Sequence, residues 1–141
     1  MYMQIDHIGI VVKDIYSFAL ETSLLLSIDS KNVEYEYLDS QKVKIALIKL
    51  ENVMIELLQP TDRNSTVFNF WQRGGGIHHI CYLVDSIDQF LAQNKRRIKV
   101  IRNKQIGLQG RNTAFFLIRN NFNLIEIIEP PKCEELIDNG I

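Results

Sequence analysis

The sequence predicts an α+β fold: two βαβββ modules whose eight strands form one curved mixed sheet around a cleft. The main observation is an internal repeat, because the strand-like segment that begins at His7 recurs at His79, 72 residues further on. A second segment, centred on Glu56, recurs at Glu126 with a spacing of 70 residues. A chain of 141 residues suffices for two such modules around one shared core, so we expect a single domain over residues 1–141.

Module one spans residues 1–60 and opens with an Ile- and Val-rich strand over residues 4–12. Asp14 is positioned as a helix N-cap, and the apolar spacing after it predicts a helix that runs to about Leu26. The segments that follow are β-branched or alternate between apolar and polar residues. They predict three more strands, at residues 33–38, 43–49 and 52–58.

Module two spans residues 76–130 and repeats the order of module one, with Ser86 as the N-cap of its helix. Its strands are predicted at residues 77–84, 98–102, 111–118 and 122–128. The connector, residues 61–75, contains a short predicted helix at residues 66–72 that ends at three consecutive glycines. The tail, residues 131–141, follows two prolines and is expected to be peripheral.

The composition excludes several classes of protein. Sixteen basic and 17 acidic side chains give a net charge of -1, so no large field attracts nucleic acid or an anionic membrane. No apolar segment is long enough to span a bilayer, and the N-terminus has no signal-peptide pattern. Two cysteines, Cys81 and Cys133, cannot form a disulfide framework, so we expect a reducing, cytoplasmic setting.

The repeated histidines and glutamates are the candidate functional residues. A lone His in an apolar strand is usually a hydrogen-bonded core residue, and a lone Glu between apolar neighbours can lie on an exposed strand face. Here, however, His7 and His79 occupy the same place in the first strand of each module, and Glu56 and Glu126 the same place in the last strand. Two imidazoles and two carboxylates suit a divalent transition metal such as Zn, Mn, Co, Ni or Fe, with two positions open on an octahedral ion.

Several of these segments carry a family resemblance. Residues 5–15 and 55–60 resemble the first and fourth strands of the vicinal-oxygen-chelate superfamily, which includes glyoxalases, bleomycin resistance proteins and dioxygenases. Residues 64–70, 76–87 and 107–117 resemble, within that superfamily, the methylmalonyl-CoA epimerases. The resemblance covers nearly the whole chain, from residue 4 to residue 129.

The resemblance implies a metal-dependent isomerase that acts through an enolate and epimerises methylmalonyl-CoA or a similar acyl thioester. It implies His7, Glu56, His79 and Glu126 as ligands of Co, Mn, Zn or Ni, Glu126 as a catalytic residue, and a homodimer. His78 would be a neighbour of the site and not a ligand, and strand alternation also predicts that it points to the other face from His79.

One departure from the family pattern leaves alternatives open. Some epimerases have a second Glu on the third strand, whereas residues 42–48 contain no carboxylate. The second acid or base is then another residue, or the reaction is a related one. A glyoxalase I-like isomerase uses the same ligand set, and a non-catalytic binding or resistance protein of the same fold would hold no metal tightly. A ring-cleaving dioxygenase is disfavoured because both modules carry a Glu.

Overall fold

The computed structural model describes residues 3–132, and within them the predicted fold is confirmed. Eight strands and three α-helices follow one another in the order β1 (Gln4–Val11), α1 (Ile15–Leu26), β2 (Val33–Leu38), β3 (Val43–Lys49), β4 (Met54–Pro60), α2 (Phe68–Gln72), β5 (Gly76–Leu83), α3 (Ile87–Asn94), β6 (Ile98–Ile106), β7 (Asn112–Ile118) and β8 (Leu124–Ile128). Cys133 and most of the predicted tail lie outside the described residues. Within residues 3–132 no helix has the length and apolar character needed to cross a membrane.

The eight strands form one sheet that is not closed into a barrel, with the order β2-β3-β4-β1-β5-β8-β7-β6. The two modules meet at its centre, where β1 and β5 pair antiparallel. Each of these strands pairs in parallel with the last strand of its own module, β1 with β4 and β5 with β8. The four strands predicted to carry His7, Glu56, His79 and Glu126 are therefore the four central neighbours of the sheet.

The strand ends differ from prediction mainly in β6. This strand was expected to stop at Arg102, but it continues to Ile106, with Gln105 and Ile106 paired to β7. Polar residues are tolerated there because β6 is an edge strand with side chains in solvent. The sequence pattern underestimates such a strand, since only a minority of its positions are buried.

Helices α1 and α3 cover one face of the sheet, and both predicted N-caps are confirmed. The backbone N–H of Ser17 donates to Asp14 Oδ1 at 2.8 Å, and that of Gln89 donates to Ser86 Oγ at 3.2 Å. Each helix packs on its own module through a cluster of buried side chains. The clusters are Val12, Ile15, Ala19, Ala46, Ile48 and Leu57 in module one, and Val84, Ile87, Ile98, Ala114, Phe116 and Ile127 in module two.

The last strand of each module also holds the start of its helix. Gln59 at the end of β4 accepts a hydrogen bond from the backbone N–H of Ile15 through Oε1, at 3.0 Å. Glu129, just after β8, accepts one from the backbone N–H of Ile87 at the same distance. These contacts satisfy one free N–H group at each helix start and fix the helix relative to the strand. The two modules are thus built alike in detail.

Two bulges interrupt the pairing of β1 with β5. Asp6 is skipped in the register between Ile5 and His7, and His78 is skipped between Ile77 and His79. An unpaired extra residue in one strand bends the strand and redirects the side chains beside it. Both bulges lie directly before a predicted ligand histidine, so they set how His7 and His79 enter the centre of the sheet.

Candidate metal centre

The four predicted ligands converge on the face of the sheet opposite the helices, and all are buried. His7 is 0% exposed, His79 and Glu126 are 4% exposed, and Glu56 is 5% exposed. Oε2 of Glu126 lies 2.9 Å from Nε2 of both histidines. The two Nε2 atoms are 3.3 Å apart, and Glu56 oxygens lie 3.4 Å from Nε2 of His79 and 3.7 Å from that of His7.

This arrangement fits a divalent transition metal. With metal–ligand bonds of about 2.1 Å, neighbouring ligand atoms lie roughly 3.0–3.4 Å apart at angles between octahedral and tetrahedral. The separations between the candidate ligand atoms, 2.9–3.7 Å, lie close to that spacing. Ligand atoms of His7, Glu56 and His79 all lie within 4.8 Å of one another. Imidazole nitrogen and carboxylate oxygen are the donors that Zn, Co, Mn and Ni accept in proteins.

Asp6 and Arg111 hold His7 on the side of its ring that faces away from the other candidate ligands. Nδ1–H of His7 donates to Oδ2 of Asp6 at 2.7 Å, which leaves Nε2 for the centre. Arg111 is 6% exposed and holds Asp6 with both terminal nitrogens, at 2.7 and 3.2 Å. Its Nε donates to the backbone carbonyl of Glu129 at 2.9 Å. Burial would raise the pKa of Asp6, but the contacts with His7 and Arg111 lower it, so the carboxylate stays charged.

Asp6→Asn is expected to weaken metal binding by about 10- to 100-fold, as changes behind a ligand histidine usually do. The neutral amide orients His7 less firmly and leaves the buried Arg111 guanidinium without its counter-charge. Competition with a coloured chelator for Co²⁺ measures the loss. Asp14→Asn is the matched control, since Asn caps a helix as well as Asp does. Equal affinities for the two variants would contradict this role of Asp6.

Glu126 is held in place by a hydroxyl group that Glu56 lacks. The Thr113 hydroxyl donates to Oε1 of Glu126, which turns Oε2 toward the histidines. Thr113 pairs with Ile128 on β8, and the corresponding position in module one, opposite Leu58 on β4, is Ile45. An Ile side chain has no donor, so the two carboxylates are held differently although the strands that carry them are equivalent.

His78 is the one site neighbour whose predicted orientation is wrong. Strand alternation placed it on the opposite face from His79, but the bulge at His78 breaks the alternation. Nδ1 of His78 lies 2.9 Å from Nδ1 of His79, and the rings meet edge to face at 5.2 Å. Burial, and then the neighbouring His79, lower the pKa of His78 to about 4, so its imidazole is neutral at pH 7.

The cleft beside the four candidate ligands is narrow and mostly apolar. Its wall combines Glu56, His79 and Glu126 with His78, Gln41, Leu38, Ile45, Leu58, Val67, Leu108 and Phe115. Gln41, His78 and Phe115 also line an adjoining cavity of about 110 Å³. A larger surface cavity, about 480 Å³, lies between the start of β1 and α3 and touches none of the four candidate ligands. The narrow cleft is the relevant one, because Glu56, His79 and Glu126 line it.

The charges of the centre depend on pH. Burial would lower the pKa of both histidines, but Glu56, Asp6 and Glu126 raise that of His7 well above its ordinary value. Hydrogen bonds with Glu126 and Glu56 raise the pKa of His79 to about 9. Burial would raise the pKa of Glu126, but the two histidines hold it well below its usual range. Without metal, His7 and His79 are therefore held as imidazolium groups beside the Glu126 carboxylate near neutral pH.

Metal affinity is expected to rise with pH between about 6 and 9, by up to about tenfold per pH unit for each proton displaced. A metal ligand must be a neutral imidazole, whereas His79 has a pKa of about 9 in the metal-free protein. Calorimetric titration in buffers of different ionisation enthalpy counts the released protons. A proton count of zero at pH 7 would contradict the prediction.

The free energy of unfolding of the metal-free protein should show the opposite trend and fall as the pH rises. Because the pKa of His79 is raised from 6.5 to about 9 in the folded state, its protonated ring contributes full stability below pH 6.5, and this contribution is lost as the pH passes about 9.

Sequence reasoning did not identify Asp6, Arg111 and Thr113 as supporting residues. For Asp6 a signal existed, since a carboxylate directly precedes a candidate ligand histidine. Arg111 directly precedes β7 and Thr113 lies on it, but nothing in the sequence indicates which residues of β1 and β8 they reach. Their partners follow from the order of strands in the sheet.

Comparison with known proteins places these features in a family. The sequence profile of the glyoxalase/bleomycin resistance protein/dioxygenase superfamily matches residues 6–115. The uncharacterised Bacillus subtilis protein YqjC is 34% identical over 90% of this chain and 92% of its own length. An ethylmalonyl-CoA/methylmalonyl-CoA epimerase of Cereibacter sphaeroides is 30% identical over 90% of this chain and 98% of its own. The crystal structure of methylmalonyl-CoA epimerase from Mycobacterium tuberculosis shares the fold, with a TM-score of 0.80 and 24% identity over 90% of this chain and 87% of that chain.

Proposed function

The chain belongs to the glyoxalase/bleomycin resistance protein/dioxygenase superfamily, and from this we propose that it is a metal-dependent isomerase acting on an acyl thioester. Methylmalonyl-CoA is the proposed substrate, with the α-carbon as the centre that is inverted. The observation that carries the proposal is the convergence of two buried imidazoles and two buried carboxylates beside a cleft. The relatives named as epimerases support the substrate class.

In this proposal His7, Glu56, His79 and Glu126 hold one divalent ion, which is Co, Mn, Zn or Ni. When bound, the ion supplies Lewis-acid stabilisation of the negative charge that develops on the thioester oxygen as the α-proton leaves. Asp6 fixes the ring of His7, and Thr113 fixes the carboxylate of Glu126. The apolar wall around them keeps water from the reacting carbon and strengthens each charge interaction.

Epimerisation needs a group on each side of the α-carbon, one to remove the proton and one to return it. We assign one side to Glu126 and the other to Glu56, because these are the carboxylates among the described residues that line the cleft. They come from equivalent strands of opposite modules, so they approach the cleft from different sides. Glu56 then serves as the second acid or base, which β3 cannot supply because it contains no carboxylate.

Proton exchange in deuterated buffer tests this assignment. The Co²⁺-loaded protein should exchange the α-proton of both enantiomers of methylmalonyl-CoA and interconvert them. Glu56→Gln keeps an oxygen ligand but cannot carry the proton, so it should still exchange one enantiomer while epimerisation falls by about 100-fold or more. Equal loss of exchange from both enantiomers, with metal still bound, would contradict separate roles for the two glutamates.

The same assay distinguishes the rival functions. Absence of exchange with any acyl thioester, together with turnover of the glutathione–methylglyoxal hemithioacetal, would replace the epimerase by a glyoxalase I-like isomerase. Absence of turnover and of bound metal, with a small molecule held in the cleft, would favour a binding protein of the same fold. Each result leaves the fold and the residue geometry unchanged.

We also propose that the protein acts as a homodimer. Helix α1 carries a row of exposed leucines that a monomer leaves in water: Leu20, Leu24, Leu25 and Leu26 are 59–80% exposed. Strands β2 and β6 end the sheet, and a second subunit could cover either edge. Light scattering of the purified protein measures the mass, and a monomer at micromolar concentration would contradict the proposal.

A further inference from the structure

We infer that His78 donates a hydrogen bond from Nε2–H to an anionic oxygen of the substrate. The inference deepens the proposed function, because it gives a role in the cleft to a histidine that is not a candidate ligand. It rests on the bulge that turns His78 into the cleft and on the contact between its Nδ1 and that of His79.

The contact between the two histidines fixes one proton. The Nδ1 atoms of His78 and His79 lie 2.9 Å apart, which is a hydrogen-bond distance. A hydrogen bond between two imidazole nitrogens has one donor and one acceptor, so one of the two atoms carries the proton and the other presents a lone pair.

The position of Nε2 of His79 determines which of the two Nδ1 atoms is the donor. Nε2 of His79 lies among the candidate ligand atoms, 2.9 Å from Oε2 of Glu126 and 3.3 Å from Nε2 of His7. As a ligand, that nitrogen presents its lone pair to the ion, so the proton of His79 is on Nδ1. Nδ1 of His78 is then the acceptor, and an imidazole that accepts through Nδ1 carries its one proton on Nε2.

The Nε2–H group of His78 is available to a ligand in the cleft. Among residues 3–132 it has no hydrogen-bond partner, and it is not among the fully buried polar atoms. His78 lines both the cleft of the candidate metal centre and the adjoining cavity, and the Phe70 ring contacts it edge to face at 4.9 Å. A fixed donor beside a metal centre stabilises negative charge on an oxygen without having to reorganise.

Module one shows why the donor exists on one side only. Asp6 holds the position equivalent to His78, before the other candidate ligand and at the other bulge. It also contacts Nδ1 of its histidine, but Arg111 occupies both of its oxygens. The Nδ1–H group of His7 thus donates to a carboxylate, which has no hydrogen of its own to donate. His78, in contrast, presents its own N–H to the cleft.

Nuclear magnetic resonance tests the tautomer without any reference to activity. In the Zn²⁺-loaded, ¹⁵N-labelled protein, long-range proton–nitrogen spectra should show His78 protonated at Nε2 and unprotonated at Nδ1. Addition of malonate, a small dianion with the oxygens of the proposed substrate, should shift the Nε2–H signal. His78 protonated at Nδ1 would overturn the inference, as would failure of Zn²⁺ to bind, since ligation of His79 sets the tautomer.

Two variants test the donor itself. His78→Phe should weaken malonate binding to the Zn²⁺-loaded protein by about 10- to 100-fold, the usual effect of a lost hydrogen bond to a charged group. His78→Gln restores an N–H at a similar reach and should recover most of that loss. Both variants are compared at saturating Zn²⁺, because loss of the His78 acceptor behind His79 is expected to weaken Zn²⁺ binding by about 10- to 100-fold. Equal malonate affinity for His78→Phe and the wild type would overturn the inference. If malonate binds as expected but no thioester is turned over, the epimerase proposal fails and the role of His78 as an anion donor stands.

Discussion

Replacing Gly9 by alanine is expected to abolish tight metal binding while the sheet remains folded. A Cβ atom at Gly9 would lie 2.2 Å from Cε1 of His79 and 2.6 Å from both of its ring nitrogens. Gly9 pairs directly with His79 across the β1–β5 seam, and its backbone is not in the left-handed region. The ring of His79 must therefore move, and it cannot do so without leaving Glu126 and His78.

We expect Co²⁺ affinity to fall at least about 100-fold in Gly9→Ala, with overpacking costing about 1–3 kcal/mol of unfolding free energy. Chelator competition measures the first quantity and urea unfolding of the metal-free protein the second. The double variant Gly9→Ala/His79→Ala is the control, because removal of the ring removes the clash. The double variant should be less destabilised than the sum of the two single variants. Wild-type Co²⁺ affinity in Gly9→Ala would show that the ring of His79 is not a fixed part of the centre.

Glu126→Gln is the second change with a large expected effect. Oε2 of Glu126 lies 2.9 Å from Nε2 of both candidate histidines, so the negative charge that this substitution removes lies at the centre of the site. We expect metal affinity to fall by at least about 100-fold, and α-proton exchange to fall with it even at saturating metal. Metal content by elemental analysis and Co²⁺ titration measure the first effect.

Glu129→Gln is a closely matched control for this change. Glu129 follows Glu126 in the same segment, and its Oε1 accepts from the backbone N–H of Ile87. Module one already uses a glutamine, Gln59, for the same contact with Ile15. Glu129→Gln should therefore retain both the cap and the metal. If it lost metal as strongly as Glu126→Gln, the effect would reflect the general charge of the region and not ligation by Glu126.

The sequence was sufficient to predict the fold because each element carries its own local signal. The N-caps Asp14 and Ser86 start their helices as expected, since each side chain accepts from a backbone N–H in the first turn. The repeat of a His strand and a Glu strand placed the four candidate ligands on corresponding strands. Their convergence followed from the pseudo-twofold pairing, which the antiparallel β1–β5 contact provides.

The supporting contacts could not be predicted in the same way, because they depend on the register of strands that are distant in the sequence. A bulge adds one unpaired residue and leaves no sequence signal, and here it turned His78 into the cleft against the rule of alternation. Arg111 reaches Asp6 from the other module, 105 residues away along the chain. Thr113 and Ile45 look equally suited to a strand, and only the register reveals that one of them holds a ligand carboxylate.

The division of the candidate ligands between the modules has a consequence for assembly. Each module supplies one histidine and one glutamate, so neither half of the chain carries more than half of the centre. A bound ion is then a non-covalent cross-link between the halves, and its binding free energy adds to the free energy that holds the β1–β5 seam together. A chain cut within the connector would yield two fragments whose reassociation depends on metal concentration. The metal dependence of this reassociation would thus measure how strongly the two repeated half-domains bind each other.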